Sequence, residues 1–147
     1  MKWFGKAVLN AFGGESAGDT FAIDYLSDTI KVALTTSTYT PNQDTHETFA
    51  DVTNEVAGTG YSAGGATLAG KTLSYNTSTN VITWDADDVS WPASTITARY
   101  AIVYKSTGTA STSPLMGWVD FVSDVSTSNQ DFRIVWNSNG LYTVTVS

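Results

Sequence analysis

Three neighbouring aspartates are the residues of this 147-residue chain with the clearest capacity for chemistry. Asp85, Asp87 and Asp88 fall within four positions, and carboxylates on one turn can bind a hard cation such as calcium. Their spacing differs from that of an EF-hand loop, which needs a central glycine and a distant glutamate. Aspartates in turns more often accept hydrogen bonds from nearby backbone amides. We predict a structural turn and no metal or cofactor, with cation binding by these three residues left open.

Catalytic chemistry has few other candidates. His46 is the only histidine and there is no cysteine, so the chain has neither a multi-histidine metal site nor a cysteine nucleophile. Paired carboxylates can hydrolyse glycosides, but adjacency in sequence does not make them converge in a cleft. We predict that the chain is not an enzyme and has no catalytic residues.

Aromatic side chains are the third candidate for chemistry, because exposed rings could form a sugar-stacking platform. Trp84, Trp118 and Trp136 each lie within an alternating run of residues, which favours burial in a core.

The chain carries 14 acidic and 7 basic residues, for a net charge of −7. Nucleic-acid binding usually needs a basic patch, and none is visible. We therefore expect neither a nucleic-acid nor a membrane partner.

Strand patterns dominate the elements that would position these residues. Residues 29–35 alternate apolar and polar side chains, and residues 72–75 and 81–84 form a predicted hairpin. Further strands are predicted at the ranges 89–91, 98–104, 115–121, 131–136 and 141–146. About seven or eight short strands predict an all-β domain, a β-sandwich or jelly-roll-like fold.

Helical spacing occurs in two places, near Thr45–Val56 and in the N-terminal residues 1–20. A capping-box pattern at Asp44 and Glu47 predicts a short helix near Thr45–Val56. Five glycines between Gly58 and Gly70 then predict a mobile or closely packed connector.

The N-terminal residues 1–20 form an amphipathic arm that we separate from the sandwich domain at 21–147. A short helix needs a cover for its apolar face, which is either its own domain or a neighbouring subunit. For a subunit contact, the expected partner-binding residues are Trp3, Phe4, Val8 and Phe12.

Residues Ile30 to Val146 resemble a family of small structural proteins of tailed bacteriophages. The distinctive segments are Tyr39–Asn42 (YTPN), Thr53–Val56 (TNEV), Gly58–Tyr61 (GTGY), Asp88–Trp91 (DVSW) and Thr97–Ala101 (TARYA). The resemblance implies a virion protein without enzyme activity, and capsid decoration (cement) is the most similar role. Such a protein would be made in the host cytoplasm and bind the major capsid protein on the capsid exterior as a homo-oligomer, with a trimer favoured. The alternative is a neck, tail or fibre protein that binds host-surface glycans through exposed aromatic residues or the Gly58–Gly70 loop.

Overall fold

A computed structural model describes residues 1–12 and 22–146, and these form an all-β sandwich with ten strands and one short α-helix. The strands are β1 (Lys2–Trp3), β2 (Ile30–Thr35), β3 (Ala66–Thr67), β4 (Thr72–Asn76), β5 (Val81–Asp85), β6 (Val89–Ser94), β7 (Thr97–Lys105), β8 (Leu115–Ser126), β9 (Gln130–Ile134) and β10 (Tyr142–Thr145). Helix α1 spans Gly5–Phe12, and two 3-10 turns lie at Phe49–Asp51 and Ala110–Thr112. No helix among these residues is long and apolar enough to cross a bilayer.

A five-stranded antiparallel sheet in the order β1-β8-β7-β2-β3 forms the centre of the molecule. Strand β7 pairs with β2 on one side and with β8 on the other. Its alternating side chains point to opposite faces of the sheet, as the sequence predicts. Ala101 and Val103 belong to one buried cluster, while Ile102 and Tyr104 belong to another.

The two faces of this central sheet are covered differently. One face packs on two smaller sheets, β6-β9 and β10-β5-β4, through residues such as Trp91, Phe132 and Tyr142. The N-terminal segment and the 36–52 loop cover the other face through Phe4, Tyr39 and Phe49. The sandwich therefore has a further covering layer on its central sheet.

The predicted helix near Thr45–Val56 is wrong, because only the 3-10 turn Phe49–Asp51 forms there. The Asp51 carboxylate accepts hydrogen bonds from the backbone N–H groups of Glu47 and Thr48, each at 2.9 Å. Beyond the turn, the backbone N–H of Val56 donates to the Leu34 carbonyl at 2.9 Å. Pairing with β2 competes with helix formation, so the chain stays extended at the end of this segment.

The predicted hairpin is confirmed as β4 and β5, in which Leu73 pairs with Trp84. Strand β6 runs through Pro92, where the sequence predicts an end. A bulge between Trp91 and Ser94, with Ala93 at a φ of 49°, accommodates the proline within the strand.

Candidate binding surfaces

The apolar face of the β10-β5-β4 sheet is only partly covered by the core. Tyr142 on this face is buried, whereas other apolar residues of the same face are exposed. Cross-strand pairs Leu73–Trp84, Tyr75–Ile82 and Ile82–Val144 bring apolar residues together on this face. Leu73, Tyr75 and Val144 are 45%, 53% and 41% exposed. A cluster of exposed apolar residues on one surface is more informative than scattered ones, because clusters mark interaction sites.

The opposite face of this sheet consists mainly of threonine, serine and asparagine side chains, with Val81 and Asp85 at the two ends of β5. Residues 72–84 and 137–146 contain no charged side chain, although the chain has a net charge of −7. Within the three strands of this sheet only Asp85, at the end of β5, is charged. The sheet therefore carries little of the net charge of this acidic protein.

An aromatic cluster closes one end of the apolar face. The Trp3 ring stacks on Tyr142, with centroids 3.7 Å apart, and meets Trp84 edge-on at 6.1 Å. Beside it lies a groove of about 430 Å³, lined by Trp3, Ile23, Tyr25, Leu73 and Trp84 among others. Leu73 and Trp84 belong to both features, so the apolar face continues into this groove.

The four predicted partner-binding residues do not form one exposed set. Lys2 and Trp3 pair with β8, and Phe4 is fully buried with its ring centroid 4.7 Å from that of Trp118. Val8 is 41% exposed. The Phe12 side chain lies outside the described residues. The N-terminal segment therefore packs on its own domain through Trp3 and Phe4, and partner binding by the four residues stays a prediction.

The aspartate turn is held by contacts to distant parts of the chain. The Asp88 carboxylate accepts hydrogen bonds from Arg133 at 2.8 Å and from the Trp136 backbone N–H at 3.0 Å. The backbone bond and then the Arg133 guanidinium hold the pKa of Asp88 below its usual value of 3.8. The Trp136 indole donates to the Asp87 carbonyl at 2.9 Å. No group of three or more His, Cys, Asp or Glu suited to a metal occurs within residues 1–12 and 22–146.

His46 is half-buried and makes contacts within the 36–52 loop. Its Nδ1 atom lies 2.8 Å from the Tyr39 hydroxyl and accepts from the Asn42 backbone N–H at 3.3 Å. Its ring stacks on that of Tyr39 at a centroid distance of 5.5 Å. These contacts give His46 a structural role in the loop that covers the central sheet.

Residues 60–64 read Gly-Tyr-Ser-Ala-Gly, which matches the Gly-x-Ser-x-Gly pattern of a nucleophile elbow. An elbow needs a strand, a sharp turn and a following helix. Here the two-residue strand β3 follows instead. The Glu55 carboxylate accepts hydrogen bonds from the Tyr61 hydroxyl at 2.7 Å and the Gly64 N–H at 2.5 Å. The pattern therefore lies in a loop tied to Glu55, without the elbow geometry.

The glycine-rich connector is closely packed. Gly65 has a φ of 70°, and a Cβ there would meet the Val32 carbonyl in β2. Between this connector and the polar loop 106–113 lies a cleft of about 350 Å³, lined by Lys31, Phe49, Glu55, Tyr104 and Ser106 among others. The Phe49 ring stacks on that of Tyr104, with centroids 4.1 Å apart. An aromatic pair beside charged and hydroxyl groups is suited to a polar organic ligand.

Comparisons with known proteins found no matching family model, no matching curated protein and no matching solved structure. The resemblance to phage structural proteins therefore stays a prediction from the segments quoted above.

Proposed function

We propose that this chain is a bacteriophage virion structural protein, a capsid decoration (cement) protein that binds the outside of the capsid and stabilises contacts between major capsid protein subunits. The observation that carries the proposal is the exposed apolar face of the β10-β5-β4 sheet. A cement protein needs such a surface because it acts by burying area against its neighbours. The sequence resemblance supports the same role.

The proposed partner is the major capsid protein, which the chain binds as a homo-oligomer on the capsid exterior, without catalysis. The apolar face supports the sheet as the contact. Asp85, the charged residue of these three strands, alternates with Trp84 and so lies on the opposite face, which leaves the apolar face without a charged side chain to desolvate. The apolar face also continues into the groove beside Trp84. Val8 provides further exposed apolar area on α1.

The proposal is tested in particles of the phage that encodes the chain. A cement protein should be present at hundreds of copies per particle, whereas a neck or tail protein should number about a dozen or fewer. Val144→Asp should lower occupancy about tenfold or more, because it places a charge on the apolar face. Thr145→Asp is the matched control, since Thr145 neighbours Val144 on β10 and faces the polar side.

Circular dichroism should show that both variants are folded. Equal occupancy of Val144→Asp and Thr145→Asp would overturn the apolar face as the contact. Absence of the chain from particles would overturn the virion assignment itself.

The second candidate is a neck, tail or fibre protein that binds host-surface glycans. The cleft between the glycine-rich connector and the 106–113 loop favours it, because stacked rings beside polar groups suit a sugar. A low copy number together with binding of the isolated chain to immobilised glycans would replace the cement role with this one.

A further inference from the structure

Strand β4 has one open edge. It pairs with β5 on one side, and within the described ranges no strand pairs with its other side. All five of its residues are exposed. In an antiparallel pair, alternate residues direct their N–H and C=O groups away from the partner strand. A row of backbone donors and acceptors therefore faces outward along β4.

The edges of the central sheet have features that hinder pairing with a further strand. It ends in β1 and β3, which are only two residues long. Beyond its short pairing with β1, strand β8 carries Asp120 and Asp124 and bends at Val122, where φ is 69°. Short edges, charges and local bends all hinder the addition of another strand.

The edges of the β6-β9 sheet are protected as well. Strand β6 contains Pro92 and a bulge, and β9 carries Asp131 and Arg133. Strand β4, with the sequence Thr-Leu-Ser-Tyr-Asn, has no charge, no proline and no bulge in its pairing with β5. Strand β10 is also uncharged, but it begins at Tyr142, which is buried beneath Trp3. Strand β4 is thus the most open edge of these three sheets.

A second copy of this chain fits the β4 edge. If two β4 strands pair antiparallel with Ser74 opposite Ser74, then Leu73 lies opposite Tyr75, and Thr72 lies opposite Asn76. Apolar residues meet apolar ones on one face, and polar residues meet polar ones on the other. Two copies of net charge −7 repel each other, and a strand without charge is where they can approach.

We propose that β4 is a self-association site that pairs with β4 of a second copy about a two-fold axis at Ser74. The two three-stranded sheets then become one six-stranded sheet with a continuous apolar face. A two-fold contact closes at two copies, so the isolated chain should form a dimer, and not the trimer that the phage resemblance implies. Five residues per copy bury less than the roughly 800 Å² per partner of a standard interface, so this dimer should be weak.

Sedimentation of the full chain over a range of concentrations tests the proposal. The weight-average mass should rise towards that of two chains. Ser74→Lys should raise the dissociation constant about tenfold or more, because it places like charges opposite each other at the axis. Ser123→Lys is the control, since Ser123 is an exposed strand residue in β8 and the substitution makes the same change of charge.

Crosslinking identifies the contact itself, because the native chain has no cysteine. Ser74→Cys should form a disulfide-linked dimer faster than Ser123→Cys under mild oxidation, since only the axis brings two copies of one residue together. Unchanged thermal unfolding would show that the variants are folded. A chain that stays monomeric, or a dissociation constant unaffected by Ser74→Lys, would overturn the proposal. A trimer that Thr145→Lys disrupts would also overturn it, in favour of β4 pairing with β10.

Discussion

Tyr142 places a buried phenol directly over the backbone of Gly117. The side chain is 4% exposed, and burial raises its pKa well above the usual value. Its hydroxyl has no hydrogen-bond partner within the described part of the chain. A Cβ at Gly117 would meet this hydroxyl and the Lys2 carbonyl. Position 117 therefore requires glycine, because no space remains for a side chain between β1 and Tyr142.

Two substitutions test this arrangement. Tyr142→Phe should leave the free energy of unfolding unchanged or raise it by up to about 1 kcal/mol, because it removes an unpaired buried hydroxyl. Gly117→Ala should lower it by about 1–3 kcal/mol through overpacking. Urea denaturation measures both, and the double variant should recover part of the loss. A loss above about 1 kcal/mol for Tyr142→Phe would mean that the hydroxyl has a partner.

Asp88 should make the stability of the fold depend on pH in the acidic range. The pKa of Asp88 is lower in the folded chain than its usual value of 3.8. Its contribution to the stability of the fold is therefore fully present above pH 3.8 and is lost as the pH falls through the folded pKa. Asp88→Asn should lower the thermal midpoint slightly at neutral pH, and the difference from the native chain should shrink in acid. Asp87→Asn is the control, because Asp87 contacts Trp136 through its backbone carbonyl. A difference that is the same at every pH would contradict this role.

At the scale of elements, β1 and α1 belong to the body of the domain. Phe4 is fully buried against Trp118, so Phe4→Ala should lower the free energy of unfolding by about 3–5 kcal/mol. Val8 is 41% exposed, so Val8→Ala should change it by no more than about 0.5 kcal/mol. Urea denaturation distinguishes them. Similar small effects of both substitutions would support the division into an arm at residues 1–20 and a separate domain.

Elements with local partners could be predicted from sequence, while those with distant partners could not. The β4-β5 hairpin follows from alternation around a short turn. The 45–56 segment has a helical spacing of apolar residues, yet its outcome depends on Leu34 in β2. The spacing of Phe4, Val8 and Phe12 predicts a helix, which forms over Gly5–Phe12, whereas Lys2 and Trp3 form β1. Only the fold shows that Phe4 is buried and Val8 exposed.

At the scale of the whole molecule, the sequence predicts the all-β sandwich and an acidic net charge, but not where the charge lies. The β10-β5-β4 sheet, in which only Asp85 is charged, combines residues 72–85 with residues 142–145, which are far apart in the chain. Which of its faces stays exposed depends on how the sheets pack. The aspartate turn is similar, because Asp88 is held by Arg133 and Trp136. Both features arise from contacts between distant segments.

The pairing of β2 with β7 has a consequence for synthesis in the cell. Ile30 pairs with Lys105, so β2 leaves the ribosome well before the strand that completes it. At typical rates of about 5–20 residues per second, β2 stays without this partner for about 4–15 s. Its side chains are apolar on both faces, since Ile30, Val32, Ala33 and Leu34 are all buried in the finished fold. The nascent chain therefore exposes an aggregation-prone strand until β7 emerges, and we expect β2 to need chaperone protection during translation.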